Sequence, residues 1–288
     1  MKRLIVNGDD FGFTIGVNTG IQRAFTEGVL TSATLMANGD AFDDAVGIAK
    51  ANPRLGVGCH LAAVGGRAVA NRDQPGGLAD ADGWLPKTLG QLALKLATGA
   101  VKSIHIEREF AAQVEKIVAA GISPTHFDTH KHTVVYPAVT KALATIARHF
   151  GISRVRSPFG AKDGVWKSVP AGLRGVYLKQ YAVSVAVMPA RGFFRRRIAQ
   201  YGIKTPDYFY GVAITGLLNR EILMDLFREL PNGITELMCH PGLYDSDLES
   251  AHTRLKQSRQ IEMEALADPE VKALAGELGI ELINYREI

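Results

Sequence analysis

The stretch Leu4-Ile5-Val6-Asn7-Gly8-Asp9-Asp10-Phe11-Gly12 decides the fold, because an apolar strand-like run ends there in two adjacent carboxylates. Three later apolar runs also end in residues suited to metal binding or acid–base chemistry: His60, the segment 126–132, and His240. Such side chains at several strand ends indicate one site, gathered at one end of a parallel sheet or barrel. This layout is typical of a hydrolytic metal enzyme on an α/β scaffold.

Strand and helix patterns alternate along the 288 residues, in seven or eight units. Repeated strand–helix units imply a parallel sheet covered by helices, and this number of units favours a closed barrel over an open sheet. No linker or repeat divides the chain, so we predict a single α/β domain over residues 1–288. The pattern weakens after Ser157. The predicted strands cover residues 4–8, 29–36, 55–61, 124–128, 154–156, 208–212, 234–239 and 280–284.

The composition is that of an ordinary globular protein, with 47% apolar and 22% charged residues. The formal net charge of +4 is too small and too scattered to indicate nucleic-acid binding. Two cysteines provide no disulfide framework, and the apolar run after Arg3 is too short for a signal peptide. No uncharged apolar stretch approaches the about 18–20 residues of a membrane helix. We therefore expect a soluble, cytoplasmic protein.

Residues 191–197 form one dense basic patch, Arg-Gly-Phe-Phe-Arg-Arg-Arg. The simplest interpretation is the solvated basic face of a helix. Phe193 and Phe194 beside three arginines would also suit an interface, so weak contact with a membrane surface, a phosphate or an anionic sugar is the alternative.

Asp9 and Asp10 follow each other at the end of the first predicted strand. Regular alternation would send their side chains to opposite faces, but Gly12 lets the chain turn sharply, so that both can point into one cavity. Two crowded carboxylates repel each other, and a divalent cation relieves that repulsion. A helix N-cap is the alternative role for an aspartate here. The doublet at a strand end favours the cation site.

His60 and His240 each follow a cysteine at the end of a predicted strand. In an extended chain, Cys59 and Cys239 face away from these histidines. If the histidines face the site, the cysteines pack against the covering helices as small hydrophobic residues. Thiolate ligation of a metal is therefore not expected.

The segment 126–132 is the richest in candidate ligands. His126, Asp128, His130 and His132 share one face if the chain stays extended. Imidazole suits Zn²⁺ and similar metals, and an aspartate close by can orient a ligating histidine through its second ring nitrogen. The spacing alone does not decide which histidine binds the metal and which supports it.

Arg156 and Asp207 lie near the ends of later predicted strands. At those positions they could contact sugar hydroxyls or a substrate phosphate. Surface ion pairs are the alternative interpretation of both residues.

Four motifs, in their order along the chain, resemble those of the YdjC-like carbohydrate deacetylases. They are residues 7–12 (Asn-Gly-Asp-Asp-Phe-Gly), 58–61 (Gly-Cys-His-Leu), 125–132 (Thr-His-Phe-Asp-Thr-His-Lys-His) and 238–242 (Met-Cys-His-Pro-Gly). The resemblance spans nearly the whole chain and implies a TIM-like (β/α) barrel, distorted or short of eight units. It also implies removal of N-acetyl groups from amino sugars with one divalent metal ion, Mg²⁺ or Zn²⁺. One branch of the family is linked to hopanoid biosynthesis, which would make the substrate a glycolipid rather than an oligosaccharide.

The resemblance also assigns roles by position. It makes Asp10, His60 and His130 the metal ligands, Asp9 the catalytic base, and His240 a residue near the scissile group. The remaining candidates, which would support the ligands or contact the substrate, are Asp128, His126, His132, Arg156 and Asp207. A homodimer is the expected assembly.

The chain departs from the family pattern at two positions. Gly8 stands where alanine is usual, and Val134 stands where many members have a further histidine, so no role of that histidine is expected here. Two alternative functions stay open, because a fold does not choose a substrate. One is a metal-dependent hydrolase of another amide or of a phosphoester. The other is a non-catalytic sugar- or metal-binding protein, which would have no need of the candidate base Asp9.

Overall fold

Strands and helices alternate along residues 1–70, 77–160 and 165–288, the parts of the chain that the computed structural model describes. The strands are β1 (Lys2–Phe11), β2 (Ser32–Leu35), β3 (Gly56–Leu61), β4 (Phe127–Thr129), β5 (Tyr208–Tyr210), β6 (Gly233–Cys239) and β7 (Ile280–Leu282). The helices are α1 (Ile15–Thr26), α2 (Phe42–Ala51), α3 (Leu89–Ala97), α4 (Ser103–Ala119), α5 (Pro137–His149), α6 (Arg174–Ala186), α7 (Arg191–Ala199), α8 (Arg220–Glu229), α9 (Ser246–Ser250), α10 (Gln257–Leu266) and α11 (Pro269–Glu277).

These strands form one parallel sheet that curls into a half-barrel. Their order is β4-β3-β2-β1-β6-β5, and β7 pairs with the amino-terminal part of β1. Beyond β4, single parallel bridges join Phe127 to Val155 and Arg154 to Lys204, which extends the curl toward β5. The strand predicted over residues 154–156 is thus present only as these bridges. The prediction of an α/β fold with a distorted, incomplete TIM-like barrel is confirmed.

Alternation along β1 separates the apolar layer from the polar end of the barrel. Leu4 and Val6 are fully buried and join the large apolar core. Ile5 belongs to a second apolar cluster, in which it packs with Tyr285. Because side chains alternate along a strand, Ile5, Asn7 and Asp9 all point to the barrel interior, and Asp9 is nearest to the carboxyl end of β1. The barrel interior therefore has Ile5 and Tyr285 beside the buried Glu236 at its floor, and the two aspartates at its carboxyl end.

The segment between β4 and β5 differs most from what its sequence predicts. It contains α6, which the apolar periodicity does not reveal because, of its side chains, only Tyr177 and Ser184 are buried. The basic helix face expected at 191–197 is present in α7. Phe194 is buried there, with its ring centroid 5.4 Å from that of Phe159, so it belongs to the core. Among the described residues, no helix combines the length and the apolar character needed to cross a membrane.

Candidate active site

A β-bulge at the end of β1 brings both aspartates to the site. The pairing of β1 with β2 shifts register between Gly8 and Phe11, where β1 has one residue more than β2. Asp10 has a φ of 65°, a left-handed conformation that costs a non-glycine residue about 1–3 kcal/mol. The turn expected at Gly12 therefore begins earlier, at Asp10 itself. This left-handed conformation takes Asp10 out of the regular alternation, so that its side chain joins that of Asp9 at the site.

Three metal-capable atoms form a compact triangle at the carboxyl end of the sheet. Asp10 Oδ1 lies 3.4 Å from His60 Nε2 and 3.3 Å from His130 Nδ1, and the two nitrogens are 3.2 Å apart. A tetrahedral zinc ion with bonds of about 2.0–2.1 Å holds neighbouring ligand atoms about 3.3 Å apart. The side chains of Asp10 and His60 are buried, while that of His130 is 20% exposed. These residues could hold one divalent cation, at a position that opens to solvent beside His130.

Asp128 fixes the ring of His60. His60 Nδ1 donates to Asp128 Oδ1 at 2.8 Å, so Nε2 faces the triangle and offers a lone pair there once the ring has lost one of its two protons. Thr34 Oγ1 donates to the second oxygen of Asp128 at 3.0 Å. Burial lowers the pKa of His60, but the charge of Asp128 and the hydrogen bonds to Asp10 and Asp128 outweigh burial and raise the pKa to about 10. A cation therefore has to displace a proton from this ring.

His130 reaches the triangle because the chain leaves the extended conformation after β4. The residues that follow form a short 3-10 turn, His130–Val135, in which Lys131 and His132 have positive φ values of 52° and 53°. The predicted row of side chains on one face is therefore wrong beyond the end of β4. His132 packs edge-on against Phe209, with ring centroids 5.8 Å apart, rather than against the triangle.

Two further candidates lie away from the triangle. His126 sits deeper in the barrel, where its ring stacks on Tyr285 at 3.6 Å and its Nδ1 lies 2.8 Å from Thr125 Oγ1. Asp207 lies at the opposite end of the sheet, where its Oδ2 accepts a 2.9 Å hydrogen bond from the backbone of Ile234 at the start of β6. Both residues thus make contacts within the fold, away from the triangle. Asp207 does not reach the site.

Arg156 is the centre of a buried charge cluster beside the triangle. Its guanidinium donates to both oxygens of Asp9 at 2.7 Å, to Asp128 at 2.6 Å and to Glu236 at 2.8 Å. Arg156 is only 2% exposed, so it is neither a surface ion pair nor open to solvent. Burial alone would raise the pKa of Asp9, but Arg156 outweighs burial and holds the pKa well below its usual value. Asp9 is therefore ionised throughout the physiological pH range.

Two charged residues of α10 also reach the site, and neither is predicted from the sequence. Arg259 is 1% exposed and donates to Asp10 Oδ2 at 2.5 Å. Glu262 accepts a 2.6 Å hydrogen bond from the backbone N–H of His240. Arg259, Glu262 and Leu266 are spaced by three and four residues and share the buried stripe of α10. Charged residues at apolar-stripe positions are the signal that could have identified them.

His240 follows β6, and the charges of Asp9 and Asp10 affect its pKa. Burial lowers its pKa to about 4, with a contribution from Arg259, although the charges of Asp9 and Asp10 act in the opposite direction. The imidazole is therefore neutral at physiological pH. A neutral ring beside the triangle can donate one hydrogen bond and accept another.

The cysteines and Val134 belong to the apolar core. Cys59 and Cys239 are buried free thiols, as expected of small hydrophobic residues behind the site. Val134 is 3% exposed, and its backbone N–H donates to Thr129 Oγ1 at 3.0 Å. Its apolar side chain thus packs in the core.

The sequence matches known proteins over nearly its full length. A model of the family described as YdjC-like protein matches residues 3–277. A protein of Geobacillus stearothermophilus named carbohydrate deacetylase is 34% identical over 284 residues, which cover 98% of this chain and 96% of that protein. A carbohydrate deacetylase of Brevibacillus brevis is 34% identical over 286 residues, which cover 99% of both chains.

A solved structure shares the fold. It comes from Enterococcus faecalis V583 and carries the name cellobiose-phosphate cleavage protein. It matches with a TM-score of 0.75, covering 99% of this chain and 98% of its own. The sequences are 24% identical, so this likeness concerns the fold alone.

Proposed function

This chain belongs to the family of YdjC-like proteins, and we propose that it is a metal-dependent carbohydrate deacetylase. Its reaction would remove an N-acetyl group from an amino sugar and release acetate. The observation that carries this proposal is the triangle of Asp10, His60 and His130 beside the ionised carboxylate of Asp9. The names of the relatives support a carbohydrate as the substrate.

Asp10, His60 and His130 are the proposed ligands of one divalent ion. When bound, such an ion lowers the pKa of water and polarises a carbonyl group. Mg²⁺ and Zn²⁺ are both candidates, and two imidazoles with one carboxylate favour zinc, because Mg²⁺ prefers oxygen ligands. Arg259 holds the second oxygen of Asp10, which fixes the direction of the first.

Asp9 is the proposed acceptor of the proton that the attacking water loses. Arg156 fixes its carboxylate through two hydrogen bonds, so its orientation is set before the substrate arrives. The same pairing makes Asp9 a weak base, and its contribution therefore rests on position and on permanent ionisation. The water oxygen bonds to the acetyl carbon as Asp9 takes the proton, the C–N bond breaks, and Asp9 returns this proton to the departing amine as acetate leaves.

His240 is the proposed hydrogen-bond donor to the oxygen on which negative charge develops. Because its pKa is about 4, the ring is neutral at physiological pH and gains a proton only as the pH falls toward 4. We expect His240→Ala to lower kcat by about 10²–10³, the usual cost of losing one such donor. We also expect no alkaline decline of kcat/KM between about pH 6 and 8 from loss of a His240 proton.

The pH profile of kcat/KM for the native protein and for His240→Ala tests this role. If the two proteins show pH profiles of the same shape, with lower kcat/KM values for His240→Ala, the result agrees with a neutral donor. An alkaline decline near pH 7 that disappears in the variant would instead make His240 a protonated general acid.

The amino sugar is proposed to belong to an oligosaccharide or to a glycolipid, including a hopanoid-linked one. The decisive experiment measures acetate release from N-acetylated sugars and glycolipids, using metal-stripped protein with Zn²⁺, Mg²⁺ or no metal added. Metal-dependent acetate release names the substrate class. Release of another product, from a different amide or a phosphoester, would move the assignment to the alternative hydrolase. A protein that binds metal and sugar but hydrolyses no member of the panel would contradict catalysis.

A further inference from the structure

Four apolar side chains of α6 are uncovered, as two pairs on the flanks of the helix face that points away from the buried Tyr177 and Ser184. Val176, Leu178, Val183 and Val185 are 40%, 52%, 53% and 46% exposed, and Lys179 is the charged residue among them. A helix with apolar residues around most of its circumference is normally buried against a partner or a lipid phase. Several large apolar side chains exposed on one helix mark an interaction surface rather than scattered exposure.

All the charged side chains in the sequence around this helix are basic. Residues 165–206 contain eight lysines and arginines and no aspartate or glutamate. Since the whole chain carries +4, the remainder of the chain carries −4, and the positive charge is concentrated in this segment. In the described part of the chain, no ion pair engages any of these eight side chains. Arg195 and Arg196 on α7 are exposed to solvent.

The segment lies on the side where the site opens. α7 packs against α5 and against the 3-10 turn His130–Val135, and this turn carries the solvent-exposed corner of the triangle. Phe194 anchors α7 to the core, since it is 0% exposed. A partner bound to α6 and α7 would therefore lie close to the entrance of the site.

The positive charge of this surface distinguishes between two candidate binding partners, a second copy of the chain and an anionic membrane. A second copy of the chain, docked symmetrically, would bring two segments of charge +8 together, and their like charges oppose that contact. An anionic membrane surface attracts the same charges and accepts the apolar side chains at the boundary of headgroups and acyl chains.

We propose that the apolar–basic surface formed by α6 and α7 binds anionic phospholipid membranes peripherally. Val176, Leu178, Val183 and Val185 enter the interfacial layer, and the surrounding basic side chains meet the lipid headgroups. The arrangement would bring the site entrance next to the membrane. This inference does not depend on the reaction that the site performs.

Co-sedimentation of the full chain with vesicles tests the proposal. We expect binding to vesicles of phosphatidylcholine mixed with phosphatidylglycerol, and little binding to phosphatidylcholine alone. Because the attraction is electrostatic in part, binding should weaken as the salt concentration rises. Equal binding to both kinds of vesicle, or no binding to either, would overturn the proposal.

Paired variants locate the binding surface. Leu178→Asp with Val183→Asp should abolish binding, and Arg195→Gln with Arg196→Gln should weaken it by about 30-fold. The matched controls are Leu94→Asp with Ile104→Asp, which alter exposed apolar residues of α3 and α4, and Lys87→Gln with Lys141→Gln, which remove the same charge elsewhere. All the substituted side chains are solvent-exposed, so circular dichroism should show unchanged folding.

Two results would reject this surface as the lipid contact. One is equal loss of vesicle binding in the test pairs and in their controls. The other is a native dimer that Leu178→Asp converts to a monomer, without any vesicle binding by the native protein. That second result would identify another copy of the chain as the occupant.

Discussion

The Asp9→Asn variant is expected to keep its fold and its metal affinity and to lose about 10²–10⁴ in kcat, the contribution of a positioned acid–base group. Asparagine has nearly the same shape, and its carbonyl oxygen can still accept a hydrogen bond from Arg156. The guanidinium also keeps Asp128 and Glu236 as partners, at 2.6 and 2.8 Å. What the variant lacks is a charged acceptor for the proton of water. The measurement is acetate release, with bound metal determined on the same samples.

Glu236→Gln is the matched control for this prediction. It also removes one carboxylate from Arg156, but Glu236 is held by the hydroxyl of Tyr285 at 2.5 Å, in the floor of the barrel. A loss that comes from the disturbed charge of Arg156 would be similar in both variants. A loss that comes from proton transfer would be confined to Asp9→Asn. Comparable turnover of the two variants would contradict the assignment of Asp9 as the base.

The His130→Ala variant is expected to lose both the metal and the activity. His130 provides one corner of the triangle, within 3.3 Å of Asp10 and 3.2 Å of His60. Removing a residue that only supports a ligand already costs about 10- to 100-fold in metal affinity, and removing a ligand should cost at least as much. Titration of metal-stripped protein with Zn²⁺, followed by calorimetry, measures the affinity directly.

His132→Ala is the control for His130→Ala, because it removes an imidazole two residues further along the same 3-10 turn. Its ring contacts Phe209 and takes no part in the triangle. Metal affinity should therefore stay close to that of the native protein. If His132→Ala lost the metal while His130→Ala retained it, the ligand set would have to be redrawn around His132.

The strand ends that carry the site could be predicted because the relevant residues interrupt apolar runs. Asp9, Asp10 and His60 each stand where a buried strand stops, and the parallel sheet brings these ends together. The turn after β4 could not be predicted in the same way. Lysine is not a residue type that favours the left-handed backbone, and the modest enrichment of histidine there does not predict two such residues in succession at 131 and 132.

The supporting charges were harder to predict than the ligands. Arg156 follows a segment that forms only single bridges, so its sequence gives little sign that it is buried among three carboxylates. Arg259 lies on a helix, where a charged residue normally faces solvent. Its position in the apolar stripe of α10 indicates burial, but the local pattern does not identify its partner Asp10, which lies 249 residues away in the sequence.

The cluster around Arg156 also constrains how proteins of this kind can evolve. One guanidinium serves the proposed base, the aspartate that orients His60, and a glutamate in the barrel floor. A substitution at any of the three carboxylates changes the charge balance felt by the other two, so their effects should be strongly epistatic. Single substitutions of these three carboxylates are then mostly deleterious. Substitutions that adapt the protein to new substrates are better tolerated in the loops around the entrance, because these loops can vary without disturbing the guanidinium of Arg156.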